Sequence, residues 1–334
     1  MREILCSGQA RSLEFPYPGG MAALCWSPAG ERGELTVSLH YDGAYGMGEK
    51  YNAVNQKGHT AVNEVEEKFC FQGEKTYCPA PFFWTNTGFG LYAATDERTS
   101  FRFGEKAVCA ELPVDCRVVL FSGMPGEIIR DYMDLFGPAK LPPKWAFGPW
   151  ISANHWDSQE KVERAVAQAE EHGFPVCALV AEAWSDEATF YVFRGARYVP
   201  KPNGGAFRLE DFDFSDSPWP DPAGMVQRLH EKGIRFLLWQ IPVYKKQGPD
   251  EPLNAQNELD QADAVARGLC VHNADGSPYT IPEGYWFAGS MIPDFTNPAA
   301  EETWFSKRNY LTEMGIDGFK TDGGEFIYRE DVRF

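Results

Sequence analysis

Up to about Gly137 the chain sets apolar against polar positions in short runs: ELTVSLHYDG, FFWTNTGFGLYAAT, RTSFRF, AVCAEL and CRVVLF. Turn residues separate the runs. Repeated short strands at this spacing predict an antiparallel β-sandwich. One helix, roughly GEIIRDYMDLFG, follows, and then GPAKLPPKW, whose prolines can continue neither a helix nor a central strand. The pattern therefore predicts an N-terminal domain over 1–137, a Pro-rich linker over 138–144 and a second domain over 145–334.

From Trp145 the period switches to strand, helix, strand, helix. WAFGPWIS (145–152) reads as the first strand. Asp157 with Glu160 reads as a capping box for a helix that carries Val162, Ala165, Val166 and Ala169 on one face and ends at Gly173. VCALVAEA (176–183) and IRFLLWQI (234–241) read as the next strands. Asp221-Pro222 and Asn297-Pro298 start helices that Gly233 and Gly315 end, since Pro suits a first turn and Gly a C-terminal cap. The last strand starts at Ile316, reaches Phe319 and runs into Lys320-Thr321-Asp322. Helix-to-strand links are one to three residues long, whereas the strand-to-helix links 184–220 and 242–296 are very long. Parallel βα sheets carry their sites at the C-terminal strand ends, and elaborated loops mark that face. An α/β domain follows, either part of a barrel or an open doubly wound sheet. No GxGxxG follows the first strand, so nucleotide binding lacks support.

Bulk properties change this picture little. A length of 334 residues suits two domains, and a formal net charge of −17 argues against a nucleic-acid partner. The 10 Trp, 14 Tyr and 24 Phe are generous; most belong to a core, but sugar-binding sites also use flat aromatic faces, so the excess lends weak support to a carbohydrate ligand. The stretch MREILCSGQARSLEF has no apolar run suited to a signal peptide or membrane span. Eight scattered cysteines without CxxC spacing read as buried thiols in a reducing cytoplasm, rather than a zinc site or a disulfide framework.

Candidate chemistry concentrates in GIDGFKTDGGEF (315–326). Residues two apart on a strand share a side, so Lys320 and Asp322 face the same way. A cation within about 4–6 Å would hold the carboxylate ionised, fit to serve as a nucleophile, and Gly323 and Gly324 would let a substrate approach closely. The same residues also suit a plain Asp-Gly-Gly turn with a solvated lysine beside it, and spacing alone leaves both readings open.

Several stretches resemble glycoside hydrolase family 31, the retaining α-glycosidases. They are PPKWAFGPWIS (142–152), FRLEDFDFSDSPWPDPAGMVQRLHEKGIRFLLWQIP (207–242), NADGSPY (273–279), MIPDFTNPAA (291–300) and GIDGFKTDGGE (315–325), in the family's order. YGMGEKYNAVNQKG (45–58) and PFFWTNTGFGLYAAT (81–95) are similar to its N-terminal sandwich. The resemblance implies the first four βα units of a truncated (β/α)8 TIM barrel. It implies an α-glucosidase- or α-xylosidase-like hydrolysis of α-linked oligosaccharides or glycosides, with no cofactor and no metal. Asp322 matches the nucleophile, and Lys320, Trp239 and Trp286 match positions lining the subsite of the cleaved sugar. Glu182 stands where many members carry an aspartate that binds distal hydroxyls. The resemblance implies organising roles for Asp294 and Glu325 and leaves His155 outside the site. The family's general acid lies beyond the position matching Phe334, so the chain alone is expected to be inactive and prone to association, and an oligomer of the complete protein stays open. Two alternatives remain: a non-catalytic sugar-binding remnant, and an enolase-type barrel in which Glu182, Asp294 and Asp322 hold Mg²⁺ and Lys320 is the base.

Overall fold

The computed structural model describes residues 1–65, 76–324, 326–329 and 331–334, in two compact units, Met1–Leu141 and Pro142–Phe334. Eleven strands are described in the first unit: β1 (Arg2–Cys6), β2 (Arg11–Tyr17), β3 (Gly20–Ala29), β4 (Arg32–Ser38), β5 (Ala44–Gly48), β6 (Thr60–Asn63), β7 (Pro79–Thr85), β8 (Phe89–Ala94), β9 (Thr99–Phe103), β10 (Ala107–Pro113) and β11 (Cys116–Ser122). They pair antiparallel in two sheets of order β1-β11-β8-β7-β5 and β2-β3-β4-β10-β9-β6. Inward residues of both sheets, among them Leu24, Trp26, Val37, Phe83, Leu91, Phe101 and Val118, form one buried cluster. This is the sandwich that the alternation predicts.

β11 departs from strict alternation because both of its faces are covered. Val119 and Phe121 point away from the sandwich core and pack with Phe82 and with Ile128 of helix α1 (Pro125–Asp134), while Tyr132 stacks on Phe82 at 3.8 Å.

The second unit holds four parallel strands in chain order: β12 (Trp150–Ala153), β13 (Ala178–Ala181), β14 (Arg235–Gln240) and β15 (Gly318–Thr321). Among the described residues the sheet does not close on itself. Helices α2 (Gln159–Glu171) and α3 (Pro222–Glu231) form the first two crossovers, and α5 (Pro298–Ser306) and α6 (Asn309–Glu313) lead into the last strand. Their apolar stripes meet the sheet in a cluster that includes Val162, Val166, Leu179, Met225, Leu229, Phe236 and Leu238. β13 is buried along its whole length, as a strand covered on both faces should be.

Three local expectations need correction. The apolar run from Trp145 does not begin as a strand. Lys144–Phe147 form a 3₁₀ turn, and the ladder starts only at Trp150, because Pro149 has no N–H to give and Gly148 lies against the Cys177 side chain. The cap of α2 is Ser158 rather than Asp157: Ser158 Oγ accepts from Lys161 N at 3.3 Å, while Asp157 pairs with the Lys161 ammonium at 2.7 Å. The expected buried thiols include exceptions. Cys6, Cys116 and Cys270 are buried, but Cys25 and Cys78 are exposed, and Cys70 lies outside the described residues.

The caps at Asp221 and Asn297 form as expected, with Pro222 and Pro298 opening their helices. Another helix, α4 (Ala255–Arg267), lies inside the long segment after β14, capped by Asn254 and ended by Gly268 in the left-handed region (φ 63°). Among the described residues no helix is long and apolar enough to cross a membrane.

Candidate active site

The parallel register of β14 and β15 sets Trp239 beside Lys320 and Gln240 beside Thr321. The pairing continues one rung further, since Asp322 N donates to Gln240 O at 2.9 Å. Asp322 is thus fixed by the sheet although it lies just past the strand. Gln240 is itself held, donating to Phe190 O at 2.7 Å and accepting from the buried Arg308 Nε at 2.7 Å.

Two donors define the orientation of the Asp322 carboxylate. Trp239 Nε1 donates to Oδ2 at 2.8 Å and Gly323 N donates to Oδ1 at 3.0 Å. Gly323 has φ 67°, and a Cβ there would meet the Phe326 ring at 2.5 Å, so this glycine serves the turn and its packing. At Gly324 an added Cβ would meet nothing within 4 Å.

Lys320 is spent differently from the sequence expectation. Its ammonium pairs with Glu182 Oε1 at 2.9 Å, and Ser152 Oγ lies 2.7 Å from the same oxygen. The contacts on Asp322 come from the indole and the backbone instead. Glu182 follows the last residue of β13, and its side chain is only 13% exposed, so its charge is satisfied by this pair of donors.

The five residues expected at the site, Glu182, Trp239, Trp286, Lys320 and Asp322, all line one cleft of about 470 Å³. That volume falls within the range of about 300–1,000 Å³ typical of ligand clefts. Trp239 forms part of the floor at 9% exposure. Its carbonyl accepts from Trp184 Nε1 at 2.9 Å, and Trp286, at 51% exposure, stands 6.2 Å from it, ring centre to ring centre.

The structure adds Asn154, Glu187 and Phe287 to the lining. Partial desolvation by neighbouring groups pushes the Glu187 carboxyl above its usual value, against the pull of Lys245 and Arg194, although the residue as a whole is exposed. The segment bearing Glu187 is pinned by Asp186, whose carboxylate accepts from the backbone N–H of Ala188 (3.2 Å), Thr189 (2.9 Å) and Phe190 (3.3 Å). The same carboxylate accepts from Asn254 Nδ2 at 2.9 Å, tying this loop to the cap of α4. Nothing in the sequence flags Glu187 except a Ser-Asp-Glu run between Trp184 and the apolar stretch Phe190–Phe193.

Asp294 lies elsewhere. It is buried, and its Oδ1 accepts from Thr296 N (2.9 Å) and Thr296 Oγ1 (2.7 Å) ahead of α5. The Mg²⁺ set of Glu182, Asp294 and Asp322 is therefore not assembled, and among the described residues no group of three or more His, Cys, Asp or Glu could hold a metal ion. His155 is exposed and does not line the cleft, and Glu325 lies outside the described residues.

Comparison with known proteins gives a consistent picture. The family model described as the glycosyl hydrolases family 31 TIM-barrel domain matches residues 139–332. The isomaltosyltransferase of Sporosarcina globispora is 36% identical over 302 residues, 87% of this chain and 27% of that protein. The 1,3-alpha-isomaltosidase of Kribbella flavida is 34% identical over 326 residues, 94% of this chain and 44% of that protein. Among solved structures, the cycloalternan-forming enzyme from Listeria monocytogenes in complex with a pentasaccharide substrate superposes with a TM-score of 0.83 at 34% identity, over 95% of this chain and 32% of that one. The cycloalternan-degrading enzyme from Trueperella pyogenes in complex with isomaltose does so at 0.80 and 34%, over 97% and 50%. The chain spans half or less of the length of each.

Proposed function

The chain belongs to glycosyl hydrolase family 31, and on that premise we propose that it carries the nucleophile and sugar-binding side of an active site that cleaves α-linked gluco-oligosaccharides with retention. The observation that carries this reading is the Asp322 carboxylate, oriented by Trp239 and Gly323 at a strand end and sharing its cleft with the Glu182–Lys320 pair.

Asp322 attacks the anomeric carbon as the bond to the leaving oxygen breaks, giving a covalent glycosyl ester. Water, or a sugar hydroxyl in a transferase, then attacks that carbon and releases Asp322. A second carboxylic acid about 5–5.5 Å from the nucleophile must protonate the leaving oxygen and later take a proton from the incoming hydroxyl. Glu182 is not given that acid–base role, because it already holds Ser152 and Lys320. Glu182, fixed in this way, accepts from hydroxyls of the sugar bound next to Asp322. Trp239 and Trp286 offer apolar ring faces to it. The names of the similar proteins, an isomaltosyltransferase and a 1,3-alpha-isomaltosidase, support a glucose-based substrate.

The test is trapping with 5-fluoro-α-D-glucosyl fluoride followed by peptide mass mapping of the intact protein. The adduct is expected on Asp322. An adduct on another residue, or none while turnover continues, overturns the assignment.

A further inference from the structure

The cleft contains a carboxylate that the proposed chemistry leaves unused. Glu187 lies five positions beyond Glu182 and has φ 57°, the left-handed region that is strained for an ordinary side chain and that glycine or asparagine adopts more readily. The loop holds it there through the Asp186 carboxylate, through Ser185 Oγ accepting from Glu187 N at 3.3 Å and through Lys245 Nζ donating to Glu187 O at 2.8 Å. These contacts fix its backbone alone. Among the described residues none donates a hydrogen bond to the Glu187 carboxylate, which is thus presented at the cleft with its acceptors open.

Its place on the loop separates it from the residues at the strand ends: β13 ends at Ala181, and Glu187 lies six positions beyond it. Asp322 and Glu182 come directly off strand ends, and Trp239 forms the floor, whereas Glu187 is solvent-accessible and shares the lining with the half-exposed Trp286. A sugar ring with its anomeric carbon at Asp322 occupies the strand-end level. A ring attached to it must lie further along the cleft, whose lining also holds the Trp286 ring and the unpaired Glu187 carboxylate, the usual pair of contacts for a pyranose: apolar face against ring, acceptor against hydroxyls. We infer that Glu187 is a specificity residue that accepts hydroxyl hydrogen bonds from the second sugar ring, so that the cleft selects an oligosaccharide over a simple glycoside. This deepens the functional reading above and rests on it.

The test is calorimetric binding of isomaltose and of methyl α-D-glucoside to the intact protein carrying Asp322→Asn, which prevents turnover. Glu187→Gln is expected to weaken isomaltose about tenfold, the scale of a hydrogen bond to a charged group, and to change methyl α-D-glucoside less than about twofold. Glu187→Gly suits the backbone angle, so it should give the same selective loss without a lower Tm, which separates a lost contact from a damaged loop. If isomaltose still binds but the ratio of the two affinities is unchanged in both variants, this inference is wrong and the glycosidase reading stands. Binding of neither sugar by the parent overturns both.

Discussion

The Trp239 indole N–H and the Asp322 carboxylate are joined at 2.8 Å across neighbouring parallel strands, at the level where the ladder ends. In the proposed reaction one residue would combine two roles, an apolar face for a sugar and a polar handle that aims the attacking oxygen. Trp239→Phe keeps most of the ring and removes the handle. Turnover should drop about tenfold, as expected for losing one hydrogen bond to a charged group, with KM little changed. Asp322→Asn should remove several orders of magnitude with folding intact. Steady-state kinetics decides, and an unchanged kcat in Trp239→Phe would show that the indole does not position the carboxylate.

Glu182 is clamped by Ser152 and Lys320 on one oxygen, so its length matters. Glu182→Asp withdraws the carboxylate by about one bond and should shift the relative kcat/KM for α-glucoside, α-xyloside and α-galactoside about tenfold or more. Equal losses on all three would assign the residue a structural or catalytic role instead.

Lys307 and Asp260 form a buried ion pair at 4% and 6% side-chain exposure. Tyr191 OH and Gln256 Nε2 each donate to Asp260 at 2.7 Å. Lys307→Met strands that carboxylate and should cost about 3–5 kcal/mol in urea unfolding, of which a second change, Asp260→Asn, restores a part. A loss below about 1 kcal/mol would mean that water reaches the site.

Burial pushes the Cys6 thiol from 9.0 up to about 12, Cys116 to about 11 and Cys270 to about 12. The folded state thus holds these protons more tightly than the unfolded one, so their contribution to stability is complete below about pH 9 and is lost as the pH rises towards about 12. Chemical unfolding midpoints measured from about pH 8 to 11 should fall accordingly. Iodoacetamide at about pH 8 should label the exposed Cys25 and Cys78 well before these three. Early labelling of Cys270 would contradict its burial.

Sequence reading succeeded where the signal was local. Asp221-Pro222 and Asn297-Pro298 each carry a cap and a helix-starting proline within two residues, and both helices begin there. It failed where a neighbour in space decides. Gly148 and Pro149 divide a run that looks uniformly apolar, and which of Asp157 and Ser158 caps α2 depends on where the Lys161 side chain goes. The cleft positions were legible because strand ends are, and because the motifs carry the family's order. The partner of Lys320 was not, since Glu182 is 138 residues away and nothing in GFKTD points to it. Helix α4 escaped because Gln256, Asn257, Asp260 and Asp263 on its buried face are polar, satisfied by hydrogen bonds rather than by apolar contact.

The Asp186 carboxylate, which ties the loop after β13 to the cap of α4, has a consequence for how such a cleft can be altered. The two long crossovers share one knot and cannot be exchanged independently. A chimera that imports the 184–220 segment from a relative with a different residue at position 186 would leave Asn254 without its acceptor and loosen a helix on the other crossover. Engineering that grafts one of these loops should therefore graft its companion.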